Sequence, residues 1–258
     1  MTLLSSDYIR VFMILLLAHL LGDFVLQFGW IQQKKKRWPV RLLHSAIQAA
    51  LAYVLISAWN LWWVAVITGV THFFIDWGKS SLKTTRMRVQ LVDQLLHLLV
   101  IIGLTGYVVM YSGSLPAWLT WQPVFGWRLA VVSAAIILLV PCGGYLIGGF
   151  MSPYMDQLDR YYAKQNKVGS ADLKKPVKGL EDGGKIIGFL ERLLILVFIL
   201  ADQYAGIGFL IAAKSIFRFG EFKESENRME AEYIIIGTFA SFLYAIVISQ
   251  GVRWLIGH

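Results

Sequence analysis

Apolar residues along this chain fall into long blocks separated by short basic stretches. A helix needs about 20 largely apolar residues to cross a bilayer's hydrocarbon layer. Blocks of that kind run over roughly 9–28, 42–58, 61–77, 91–111, 127–150, 184–201, 203–218 and 231–255. The second and third are separated only by Trp59 and Asn60, which predicts a helical hairpin. The sixth and seventh meet at Asp202 and Gln203, which leaves either a tight hairpin or one long bent helix. Pro141, followed by Gly143, Gly144, Gly148 and Gly149, predicts a kinked fifth helix with close neighbours. Ser5, Ser6 and Asp7 offer an N-cap to the first helix. Trp59, Trp62, Trp63, Trp77, Trp121 and Trp127 lie near block ends, where interfacial aromatics belong. The pattern predicts an all-α, polytopic transmembrane bundle of about eight spans.

Composition agrees. The chain is 57% apolar and 16% charged, against about 45–50% and roughly a quarter in soluble domains. A soluble domain, a disordered chain and a soluble nucleic-acid binder are thereby excluded. The single Cys142 lies in an apolar stretch, so there is no disulfide framework. The first block lacks a basic leader and a small-residue cleavage site, so it is expected to be retained. The formal charge of +8 then reads as a record of orientation. With eight spans, the stretches 29–41, 78–90 and 151–185 and the last connection share one side and hold nearly all Lys and Arg. Only Arg10, Arg128 and Arg253 fall opposite, and Arg192 lies within a span. The basic side is cytoplasmic, both termini are non-cytoplasmic, and the expected location is the bacterial inner membrane. A single crossing over 184–218 would move the last loop to the wrong side, so the charge supports the hairpin. Trp30 and Trp38 beside the basic runs suit membrane lipids as partners better than nucleic acid. The segment 151–185 is the only sizeable soluble piece, with a short helix expected around 153–164. Two modules are expected, 1–111 with four helices and 112–258 with the cytoplasmic loop.

Ionisable side chains inside spans are costly and by default suggest function. Here they form a pattern. His19 and Asp23 are four apart in the first span, with Gln27 a turn further on. His72 and Asp76 repeat the spacing in the third, and Asp93 and His97 reverse it in the fourth. His44 opens the second. Side chains four apart share one helix face, so one helix can give two ligands to one site. The expected topology also brings all four helices' His and Asp to similar depth. A lone His or Asp in a membrane most often makes a helix–helix hydrogen bond. Threefold recurrence at matched depth favours a metal site instead. Imidazole and carboxylate suit a divalent metal, zinc first. His19, His44, His72 and His97 are the candidate ligands. Asp23, Asp76 and Asp93 are candidate ligands, orienting groups or catalytic base.

The sixth span adds Glu191 and Arg192. Each would neutralise a charge on a neighbouring helix, or with Lys214 they would form a substrate clamp, since Arg holds phosphate or carboxylate bidentately. Lys214 and Arg218 equally suit snorkelling to anionic headgroups. Glu221, Glu230 and Glu232 belong to the interface, and Asp202 reads as a turn residue. No phosphate-binding glycine loop, CxxC or HExxH occurs.

The strings AHLLGDFVLQ at 18–27, THFFIDWGK at 71–79 and DQLLHLL at 93–99, with His44 between, resemble the bacterial and phage membrane family called domain of unknown function 3307. GGKIIGFLERLLI at 183–195 and IAAKSIFRFGE at 211–221 resemble a C-terminal extension of its longer members. The family brings no assigned activity. The His/Asp pattern is similar, more distantly, to metal-dependent hydrolases of the bacterial inner membrane. The leading expectation is a metal-dependent hydrolase or transferase acting on an anionic, lipid-linked or phosphate-bearing substrate at the cytoplasmic side. The alternatives are a cation or proton transporter or channel using the same cluster, and an accessory structural membrane protein. A homo-oligomer is compatible with each.

Overall fold

The computed structural model describes residues 6–27, 29–82, 87–111, 126–167, 182–222 and 228–257. Every element among them is helical: α1 Ser6–Leu20, α2 Gly29–Lys34, α3 Trp38–Ile56, α4 Trp62–Ser81, α5 Met87–Tyr111, α6 Trp127–Ile137, α7 Gly143–Lys167, α8 Gly183–Leu200, α9 Tyr204–Phe222 and α10 Arg228–Gly257. Two π-helical turns follow α1 and α6, at Leu21–Val25 and Leu138–Cys142. Each apolar block of the sequence is predominantly helical over its described residues, the fifth as α6, a π turn and the start of α7. Five stretches are long and apolar enough to cross a membrane: Asp7–Val25, Trp38–Ile56, Met87–Tyr111, Trp127–Lys164 and Arg228–Gly257. The apolar part of α9, Tyr204–Ile216, is shorter.

The chain divides into two compact units, Met1–Leu138 and Leu139–His258. In the first, α1 packs against α3, α5 and α6, while α4 lies between α3 and α5. The division falls after α6 rather than after α5, because α6 buries Ala130, Val131, Ala134 and Ala135 and packs on α1. The α3–α4 hairpin is closed by Ser57 in the left-handed region at φ 51°. Its N–H donates to the Tyr53 carbonyl and its hydroxyl to that of Val54. A Cβ on Gly69 would stand 3.1 Å from Ala49 Cβ, which measures how closely the hairpin's backbones approach.

Burial in α5 is inverted relative to a soluble protein. Asp93, His97 and Thr105 are buried, whereas Leu91, Val92, Leu95, Leu96 and Leu99 are exposed. An apolar exterior around polar interior groups is what a hydrocarbon solvent selects. Trp30, Trp38, Trp59, Trp62 and Trp77 are likewise exposed, at or near helix ends.

In the second unit, α10 packs against α7 and α8, and α8 and α9 form the hairpin that the charge pattern favours. Asp202, at φ 59°, makes its turn. Pro141 falls inside the second π turn, where the wider turn accommodates the missing N–H. Close packing of the following glycines holds at Gly144, whose Cβ would meet Phe189 at 2.8 Å, but Gly148 faces open space. The helix expected around 153–164 is not separate. It continues α7 through Pro153, which keeps the flanking backbone groups within one helix. Trp121, and Ser5 of the expected N-cap, lie outside the described residues, as do the side chains of Arg218 and Glu221. Ser6 and Asp7 form the first turn of α1.

Candidate metal centre

Four helices of the first unit bring the four candidate histidines and the three candidate aspartates together. His19 ends α1, and Asp23 lies in the π turn that follows, where the Leu26 N–H reaches back to the Leu21 carbonyl at 2.8 Å. Such turns contain one residue more than an α turn and recur at functional sites. His44 stands near the start of α3, which begins at Trp38–Pro39, with Pro in the first turn where its missing N–H is harmless. His72 and Asp76 lie on the inner face of α4, and Asp93 and His97 on that of α5. His19, His44, His72, Asp76, Asp93 and His97 are each at most 8% exposed.

Asp23 Oδ1 is 3.1 Å from His44 Nε2 and 3.4 Å from His72 Nε2. Asp76 Oδ2 is 3.5 Å from His72 Nε2 and 3.8 Å from His44 Nε2. A tetrahedral cation with nitrogen and oxygen ligands at ~2.0–2.1 Å separates its donor atoms by ~3.3–3.4 Å. Asp23, His44 and His72 thus form one set of candidate donors within 4.8 Å of one another, and Asp76 Oδ2 stands beside both of its imidazole nitrogens. His72 Nε2 is buried between two carboxylates and makes no aligned hydrogen bond. A cation between this nitrogen and the two oxygens, or an N–H shared between them, would account for that placement.

Two further candidate donor sets adjoin this one. His19, His72 and His97 form one, and Asp76, Asp93 and His97 form the other, each with ligand atoms within 4.8 Å of one another. The imidazoles of His72 and His97 stack with centroids 4.2 Å apart. His97 Nε2 and Asp93 Oδ1, 3.7 Å apart, are both buried without a hydrogen bond. A small cavity lined by Ala18, Ala52, Thr68 and Thr71 opens beside His19, His72 and His97.

Four residues that the sequence reading left aside hold the cluster in place. Gln48, one turn beyond His44, donates to Asp23 Oδ1 at 2.8 Å and to the His19 carbonyl at 3.2 Å. Gln94 donates to Asp23 Oδ2 at 3.2 Å and bonds His19 Nε2 through its own oxygen, also at 3.2 Å. Lys35 Nζ is 2.7 Å from Asp76 Oδ2, and Lys79 donates to Asp93 Oδ2 at 2.6 Å. Both lysines belong to stretches that record topology. Gln48 is detectable in sequence only as a polar interruption four residues after His44. Gln27 makes none of the contacts described.

The candidate clamp residues lie in the second unit. Lys214 donates to Glu191 at 2.7 Å, so these two neutralise each other across the α8–α9 hairpin. Arg192 donates to the Leu139 carbonyl, beside the second π turn, and to Ser241 Oγ at 3.0 Å, and it lies over the Phe189 ring. The three do not converge on one group.

The His/Asp motifs and their meeting point lie within one contiguous segment. Residues 11–125 match the family Protein of unknown function (DUF3307). The DUF3307 segment contains all seven donors as well as Lys35, Gln48, Lys79 and Gln94. Neither a curated protein nor a solved structure matches the chain.

Proposed function

We propose that the protein is a metal-dependent hydrolase or transferase of the inner membrane. It acts at the cytoplasmic side on a lipid-linked or phosphate-bearing substrate. The observation that carries this reading is the buried donor set of Asp23, His44 and His72, with Asp76 Oδ2 3.5 Å and 3.8 Å from the two imidazole nitrogens. His72 Nε2 and His97 Nε2 are buried beside carboxylates and lack a hydrogen bond among the described residues, which leaves them free to take a cation. A divalent cation there would polarise a substrate oxygen and acidify a water. The protein's own groups do the rest. Gln48 and Gln94 fix the Asp23 carboxylate, and Lys35 and Lys79 hold Asp76 and Asp93. The exposed apolar faces of α5 and its neighbours suit a substrate delivered from the lipid phase.

The test is metal content of the detergent-purified protein by mass spectrometry, after reconstitution with Zn²⁺, alongside phosphate release from phosphorylated lipids in vesicles. Bound metal that falls in a His72→Ala/His97→Ala variant, with release abolished by chelator, is expected. Absence of metal after reconstitution, or equal metal in the variant, overturns the reading.

A further inference from the structure

The three overlapping donor sets exceed what one cation requires. A tetrahedral ion takes four donors; Asp23, His44 and His72 offer three, and Asp76, beside both imidazole nitrogens, offers the fourth. Asp93 and His97 then remain, each at most 4% exposed, with Asp93 Oδ1 and His97 Nε2 free of hydrogen bonds and 3.7 Å apart. A buried carboxylate oxygen and a buried imidazole nitrogen that face each other without a shared proton form an incomplete set of ligands. Asp76 closes it, because its carboxylate lies within reach of both groups. We propose that the centre takes two divalent cations, the second held by Asp93 and His97, with Asp76 shared between them. This rests on the metal reading above. His19 stands beside the second position, its ring 4.8 Å from that of His97 and turned by its bond to Gln94.

Charge identifies the substrate class. Asp23, Asp76 and Asp93 carry three negative charges, and Lys35 and Lys79, in contact with two of them, return two positive ones. One divalent cation changes a net negative centre into a net positive one, and a second adds two further positive charges. Uncompensated charge is expensive at such burial, so the second ion enters with an anion. A phosphoryl group, carrying up to two negative charges and several oxygens, compensates that excess. Two ions held by Asp76, Asp93 and His97 and their neighbours would also neutralise charge that develops on a transferring phosphoryl group. The geometry therefore favours a phosphate ester or phosphoanhydride over a carboxylic ester.

The experiment is a Mn²⁺ titration of the full-length protein in detergent, in the presence of inorganic phosphate, read by metal stoichiometry and electron paramagnetic resonance. Two Mn²⁺ per chain with a spin-coupled spectrum are expected for the wild type. Asp93→Asn and His97→Gln are each expected to retain one ion, with the spectrum of an isolated Mn²⁺. A wild type that stops at one uncoupled ion overturns the second position and leaves the metal-dependent reading standing. A wild type that binds none overturns both. Two ions persisting in both variants overturn the assignment to Asp93 and His97. The wild-type stoichiometry and coupling decide the matter even where a variant fails to fold.

Discussion

Lys35 Nζ lies 2.7 Å from Asp76 Oδ2, so a residue of the basic run after α2 reaches a carboxylate that is 1% exposed. Without a metal, this ammonium is the closest counter-charge to Asp76. Removing one partner of a buried pair costs about 3–5 kcal/mol, and the Lys35 side chain retains some exposure. Lys35→Met is therefore expected to destabilise the metal-free protein by about 2–3 kcal/mol. Thermal unfolding in detergent checks this. Added Zn²⁺ should narrow the difference from wild type, because a cation beside Asp76 replaces the lost charge. A loss that is unchanged by Zn²⁺ would place Lys35 outside the centre's electrostatics.

Gly22 makes room for Gln48. A Cβ at this position would stand 2.3 Å from Gln48 Nε2, and the amide cannot move without leaving Asp23 and the His19 carbonyl. Gly22→Ala is expected to cost about 1–3 kcal/mol, as overpacking does, and to weaken metal binding. The double variant with Gln48→Ala should be less destabilised than the sum of the single ones, because the clash is then gone. Additive losses in denaturation midpoints would disprove the coupling.

Glu191 and Lys214 form an ion pair whose components are 8% and 21% exposed as side chains. Glu191→Gln alone strands the ammonium and should destabilise the protein by more than the paired replacement Glu191→Gln/Lys214→Met does. Metal stoichiometry should be unaffected by either change. A fall in bound metal would tie this pair to the centre after all.

Arg192 occupies the Leu139 carbonyl and the Ser241 hydroxyl. Arg192→Met leaves both without their donor, at about 1–3 kcal/mol for each buried group stranded. The expected result is a lower unfolding temperature with unchanged metal content. Lys in its place should recover only part of the loss, since an ammonium lacks the planar fork that serves two acceptors.

The seven His and Asp residues that meet in the first unit were legible in the sequence, because ionisable groups within apolar blocks demand a reason and six of them pair at a spacing of four on single helix faces. The helices were legible for the same reason. What supports the centre was not. Lys35 and Lys79 sit where cations ordinarily mark the cytoplasmic side, so their reach into the bundle had no separate signature. Gln48 and Gln94 are neutral, and a neutral amide within a span is too common to single out. At six residues, α2 is too short to show an amphipathic period. The continuation of α7 through Pro153 runs against the usual reading of an internal proline. The substrate-clamp expectation grouped Glu191, Arg192 and Lys214 by charge alone, and only their neighbours distinguish an internal pair from a hydrogen-bonded guanidinium.

The π turn at Leu21–Val25 resets the rotational phase of the first helix. Upstream, Val11, Ile14, Leu15 and Ala18 are buried in the bundle, while Asp23 is aimed by a turn that contains one surplus residue. Removing Gly22, the residue just before Asp23, would restore ordinary helix and keep every contact upstream of Leu21. It would also swing the following side chains by ~100° about the axis, turning the carboxylate away from His44 and His72. At this point in the chain, residue count constrains the site more tightly than residue identity.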